Sequence, residues 1–227
     1  PFAQIGFACV HLSLYALNHN TILMNIRLNF WLIILFGVSL SGNRLAAQER
    51  SVAAPRILSA GDSLLIKELY FQGVQQKSSG QLAAAEQTFE KVVLLQPENH
   101  AAHFELARIH LEKGNYTEAE KSAVKATALD SNNEWYWTTL LDVYKKTANF
   151  KQIAVVLDEL IRLHPEKESN YYDKAYALYL DKQYTESLAV YDRIAEQFGK
   201  TDDLYIIRHQ VYISQNNIPA AIAELEA

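Results

Sequence analysis

The stretch 134–165 reads Glu134-Trp135-Tyr136-Trp137-Thr138-Thr139-Leu140-Leu141-Asp142-Val143-Tyr144, then a polar break, then Phe150-Lys151-Gln152-Ile153-Ala154-Val155-Val156-Leu157-Asp158-Glu159-Leu160, closing on Pro165. Trp137, Leu140, Leu141 and Tyr144 stand at i, i+3, i+4 and i+7, which at roughly 100° per residue gathers them onto one stripe of a helix. Ile153, Leu157, Leu160 and Leu163 do the same for a second helix. Working outward, the pattern recurs every 34 residues: Pro97, Ser131, Pro165 and Gly199 form one column, and Leu82, Tyr116, Phe150, Tyr184 and Ile218 another. Leu69, His103, Trp137, Tyr171 and Tyr205 form a third, and Phe89, Ala123, Leu157, Tyr191 and Leu225 a fourth. Self-similarity at this fixed period marks a solenoid of helix–turn–helix units, each covering its neighbour's apolar face. Gly80 and Gly114 fall at the turn inside a unit, where a left-handed backbone is needed, and Pro97 and Pro165 punctuate unit ends.

The spacings Trp-x2-Leu-small-x2-Tyr, Ala-x3-Phe and Pro, met most fully in Trp137 to Pro165, resemble the tetratricopeptide repeat. The resemblance implies an all-α, right-handed solenoid of antiparallel helix pairs with about 4.5 repeats. It covers units 66–99, 100–133, 134–167 and 168–201, with 202–227 stopping inside its second helix, so that Ile222 and Leu225 point to further sequence beyond. The whole array is set at 63–227. Three units depart from the pattern at their seventh position, where Gln72, Lys174 and Arg208 replace leucine, and His209 replaces a small residue. Long polar stems lie along apolar surface with their heads in water, so looser unit interfaces are expected there.

Ahead of the array the material changes. Residues 1–26 contain no Asp, Glu, Lys or Arg, and the chain opens on Pro1, so 1–23 reads as upstream, non-native sequence and Met24 as the better start. Arg27, the apolar run Phe30 to Leu40 and the small residues at Ala46-Ala47 have the layout of a bacterial signal peptide, 24–47, followed by a linker at 48–62. The expected location is therefore exported, periplasmic or otherwise at the envelope, with only transient membrane contact through that segment. The alternative is a retained anchor over residues 21–40, against which Arg27 counts. Cys9, the single cysteine, precedes the expected mature chain, which leaves neither a disulfide nor a catalytic thiol.

From Glu49 onward there are 19 basic and 26 acidic residues, a net charge of −7, which argues against a nucleic-acid surface. His100, His103 and His110 share a helical neighbourhood but lie in columns filled elsewhere by Trp137 and Tyr144, so packing rather than metal ligation is expected. Glu118 with Glu120, and Asp202 with Asp203, sit near helix starts as dipole-complementing charge rather than as an acid–base pair. No cofactor and no catalytic constellation is expected. What the resemblance implies instead is a concave groove lined by the first helices of successive units, holding a peptide or protein segment. The residues left over once the packing stripe is spent are Tyr70, Val74, Phe104, Arg108, Thr138, Asp142, Lys145, Tyr172, Tyr176 and Tyr179. The functional expectation is thus a non-catalytic interaction scaffold of the bacterial envelope. The alternative is the N-terminal interaction region of a larger enzyme or sensor whose chemistry lies beyond residue 227. The Lys and Asn clamp with which some proteins of this family hold a C-terminal carboxylate is missing, since Tyr70, Val74, Thr138 and Asp142 occupy its positions.

Overall fold

The structure, a computed structural model, describes residues 59–226; the expected upstream stretch 1–23, signal segment 24–47, alternative anchor 21–40 and most of the linker lie outside the described residues. The described residues form ten helices: α1 (Ala60–Ser78), α2 (Leu82–Leu95), α3 (His100–Glu112), α4 (Tyr116–Leu129), α5 (Glu134–Lys146), α6 (Phe150–Leu163), α7 (Glu168–Leu180), α8 (Tyr184–Gln197), α9 (Asp202–Ser214) and α10 (Ile218–Glu226). Each packs against its sequence neighbours, and α3 also touches α5, so the odd-numbered helices form one wall and the even-numbered helices the other. Among them no helix is long and apolar enough to cross a membrane.

The turn inside each unit is built the same way five times. After α1 the amide of Gly80 donates to the Lys77 carbonyl at 3.0 Å, and that of Gln81 to the Gln76 carbonyl at 2.9 Å. This 5→2 and 6→1 pair satisfies helix-end carbonyls and requires a left-handed residue at the first position after the cap. Gly80 and Gly114 supply it at φ 75° and 76°, but the equivalent positions in the next three units are Ala148, Lys182 and Asn216, at φ 51°, 62° and 59°. Glycine is therefore present where the sequence predicts it, and the fold forces two side-chain-bearing residues other than Asn into the same conformation.

Between units a second device recurs. The ring donors of the 103/137/171 column reach back six residues: His103 Nε2 to the Pro97 carbonyl at 2.9 Å, Trp137 Nε1 to Ser131 at 2.8 Å and Tyr171 Oη to Pro165 at 3.0 Å. Three different rings fill one column because each carries an N–H or O–H at its far end. Arg162 and Gln197 donate a second bond to the Ser131 and Pro165 carbonyls. At the fourth link Gly199 takes φ 102°, a backbone no proline can adopt, and α9 is capped by the Thr201 side chain, which accepts from the Leu204 amide at 3.3 Å.

α1 begins at Ala60, six residues ahead of the first repeat unit, because Ser59 and Asp62 form a reciprocal capping box with both bonds at 3.1 Å. The first unit closes tightly: a Cβ on Gly73 would lie 2.8–3.0 Å from the ring of Phe89, which is fully buried. The most extensive cluster of buried residues centres on the third unit, where Leu140, Leu141, Tyr144, Ile153, Val156, Leu157 and Leu160 pack with Ala107, Ala123 and Leu178.

Of the seventh-position residues, Gln72 stays exposed as expected, whereas Lys174 and Arg208 find carboxylates. Lys174 pairs with Asp158 at 2.5 Å, and Arg208, 34 residues on, pairs with Asp192 at 2.8 Å, the carboxylate again one unit back on the preceding helix. Arg208 also reaches Glu224 on α10 at 2.9 Å, and both of those side chains are mostly enclosed, 17% and 13% exposed. A charged head that enters a helix interface needs a carboxylate there, and the repeat places one at the same offset twice.

Candidate functional site

The odd-numbered helices carry the expected groove residues, and the structure divides them among three clefts and a packed strip. Tyr172, Tyr176 and Tyr179, one stripe of α7, line a cleft of about 590 Å³ together with Tyr191 of α8 and Ile206, Ile207 and Gln210 of α9. The Tyr176 and Tyr179 rings are nearly parallel, 17° apart with centroids at 6.2 Å, and Tyr172 leans on Tyr191 at 6.1 Å. Tyr179 is held by Ser214 of α9 through a 3.1 Å hydroxyl contact. Tyr176 is 57% exposed, so its ring is an open wall rather than core.

Arg108 and Asp142 line a second cleft of about 500 Å³ with Lys77, Lys146 and Tyr116. Tyr70 lines a third, about 610 Å³, with Lys67 and His100. The remaining residues are drawn into packing. Val74 joins the apolar cluster of the first unit, and the Phe104 ring lies 4.9 Å from that of Tyr136 with the Arg108 guanidinium 5.5 Å above it. Thr138 Oγ1 donates to the Glu134 carbonyl at 3.0 Å. Tyr70 itself meets Phe89 edge-on at 5.5 Å, which makes it part wall and part core.

Two ion pairs cross from one odd helix to the next at the same repeat offset. Lys77 of α1 bonds Glu105 of α3, and Lys145 of α5 lies 3.4 Å from Asp173 of α7. Two cations of the inner wall, Lys77 and Lys145, are thereby engaged by partners inside the fold. His100, His103 and His110 are sent to separate partners: His100 to the Tyr136 hydroxyl at 2.7 Å, His103 to Pro97, and His110 toward Glu86 at 3.4 Å. Burial, the Pro97 bond and nearby Lys125 act on His103 together, and burial prevails, lowering its pKa.

Burial raises the Tyr172 pKa, helped by Glu168 and Asp203 and opposed by a bond to Thr201. Tyr191 is pushed up to about 12, first by burial and then by the three α7 tyrosines around it. Tyr144 also rises to about 12, through burial and its 3.1 Å bond to Glu120. These hydroxyls stay protonated at neutral pH, so the cleft offers donors rather than phenolates.

The sequence reading stopped at the fourth unit and so missed Ile206 and Gln210, which stand 34 residues beyond Tyr172 and Tyr176 and form the opposite wall. It also passed over Trp135, which precedes Thr138 and Asp142 at i, i+3 and i+7 on their stripe and is 71% exposed.

Residues 76–134 match the tetratricopeptide repeat family. The same helix pair, turn and interunit bond recur beyond that span. No curated protein matches it. Among solved structures, the Naa15/Naa10 assembly bound to HypK-THB aligns with a TM-score of 0.66 at 10% identity, over 73% of this chain and 27% of that one. YrrB, described as a tetratricopeptide protein with an unusual peptide-binding site, aligns with a TM-score of 0.54 at 18% identity, over 74% of this chain and 90% of its own. An O-GlcNAc transferase mutant from Thermobaculum terrenum shares 26% identity over 53% of this chain and 23% of that one, with a TM-score of 0.45. The chain thus spans about a quarter of the transferase and of the Naa15 match, whose activities belong to those proteins. The likenesses to YrrB and the Naa15 assembly establish the fold, and tetratricopeptide repeats such as those matched at 76–134 indicate a protein–protein interaction scaffold.

Proposed function

We propose that this scaffold is non-catalytic, works at the bacterial envelope and holds a peptide or protein segment on its inner wall, chiefly in the tyrosine cleft. The observation that carries the reading is the convergence of Tyr172, Tyr176 and Tyr179 with α9 around one open cleft of about 590 Å³. Tyrosine combines a large, stiff contact area with a hydroxyl for backbone groups, which suits it to recognition surfaces. Support for the location comes from the layout of residues 24–47 alone.

Photo-crosslinking in cells tests both parts. A benzophenone amino acid placed at Tyr176 is expected to trap a defined partner in the envelope fraction, whereas the same group at Val155, exposed on α6, traps none. Equal labelling from both positions, or none from Tyr176, refutes the groove. Amino-terminal sequencing of the same material is expected to begin near Gln48, and retention of Phe30 to Leu40 refutes cleavage.

A further inference from the structure

The chemistry of the inner wall changes along the array. The repeat columns that put Arg108, Asp142 and Lys145 in its middle put no charge on α7 or α9, where Ile206, Gln210 and Ile213 stand one repeat beyond the three tyrosines. The ionisable groups that do line the tyrosine cleft are engaged: Asp173 lies 3.4 Å from Lys145, and His209 is bonded through Nδ1 to the Ala221 carbonyl at 2.7 Å. Apolar surface is left open instead. Tyr176 and Ile206 are each 57% exposed and Ile213 39%, while Tyr191 and Val211, both buried, close the cleft below. Two polar groups of the cleft lack partners: the Tyr176 hydroxyl and the Gln210 carboxamide make no hydrogen bond among the described residues, whereas Tyr179 is tied to Ser214.

A cleft of this lining gives a charged side chain no partner in return for its lost hydration, and stabilises a bulky apolar one by the surface it removes from water. The two unpartnered groups narrow the occupant further. Tyrosine and glutamine each donate and accept, which matches the free N–H and C=O of an extended backbone, whereas a helical ligand has already paired its own. We infer that the cleft takes an extended segment of a partner protein, with a bulky aliphatic or aromatic side chain entering between Tyr176 and Ile206 and the backbone bonded to the Tyr176 hydroxyl and the Gln210 carboxamide. This inference rests on the groove reading and specifies the chemistry of its ligand. A charged residue at the entering position is rejected whichever its sign.

The test uses protein purified after expression of the full chain and an acetylated, amidated peptide, Ser-Ile-Ser-Phe-Ser-Ile-Ser, read by titration calorimetry. Forms with the three apolar residues replaced by Lys or by Glu serve as comparisons. The apolar peptide is expected to bind at least roughly tenfold more tightly than either, with an affinity that changes less than about twofold between about 50 and about 500 mM salt. Ile206→Ser, at an exposed site that the fold does not need, weakens binding roughly fivefold or more, and Ile206→Lys removes it. Gln210→Met keeps the bulk, loses both polar groups and weakens binding about threefold. Val155→Ser, exposed on α6, leaves it unchanged. Equal binding of a charged peptide, a salt-sensitive affinity, undiminished binding to Gln210→Met or equal loss in Val155→Ser overturns the inference. So does a dimer of this chain that Ile206→Lys dissociates, since the occupant is then a second copy. A partner crosslinked through position 176 alongside any of those results overturns only the apolar-ligand assignment and leaves the groove reading standing. Absence of that crosslink removes the reading itself.

Discussion

Replacing Ala148 by glycine is expected to stabilise the array, although glycine ordinarily weakens helical proteins. Ala148 sits at φ 51°, just past the end of α5, with an exposed side chain, so the substitution discards almost no buried surface. A left-handed conformation costs an L-residue about 1–2 kcal/mol, and glycine's extra freedom in the unfolded chain costs back about 0.4–1 kcal/mol. The net gain is about 0.5–1 kcal/mol, or a rise of roughly 2–4 °C in melting temperature per kcal/mol for a chain of this size. Lys182→Gly, at φ 62° one unit on, is expected to give a similar gain, and the two should add because the turns share no partner. The mirror experiment is Gly114→Ala: a Cβ there meets nothing within 4 Å, so any loss is torsional alone and should match the gain in size. Urea melts followed by circular dichroism provide the measurement, with midpoint and slope compared together because repeat units can uncouple. If Ala148→Gly is neutral or destabilising while Gly114→Ala is harmless, the turns do not store the strain assigned to them.

Gly73→Ala is expected to destabilise by about 1–3 kcal/mol despite alanine's better helix propensity, because the new methyl lands within 3.0 Å of the immobile Phe89 ring; a rise in urea midpoint contradicts this. Arg208→Ala should cost about 2 kcal/mol or more by leaving Glu224 enclosed without its cation, and should loosen α10 first, seen as faster amide hydrogen exchange there than in α6. Tyr144 and Tyr191 ionise near 12 in the folded protein against about 10 unfolded, so the unfolded chain releases those protons first. Their contribution is complete below pH 10 and lost as pH rises towards 12; phenolate absorbance in Tyr144→Phe and Tyr191→Phe should each lack a late-titrating group. His103 works on the other side. Its lowered pKa favours the neutral ring in the fold, so that contribution holds above about pH 6.5 and fades as pH falls, and the acid limb of a stability profile should flatten in His103→Gln.

Helix existence, the pairing into units and the positions of the turns were written in the 34-residue spacing, because each is decided by residues a few places apart on one helix or turn. The inner-wall stripe followed from the same arithmetic, which is why Tyr172, Tyr176 and Tyr179 emerge together and why Ile206 and Gln210 were reachable by one further repeat step. Packing decided the rest. Whether Phe104 would be wall or core depended on Tyr136 arriving from another unit, and whether Lys174 and Arg208 would trail into water depended on Asp158 and Asp192 standing opposite. Spacing along a chain specifies which face a residue occupies; only the assembled neighbours specify what that face meets.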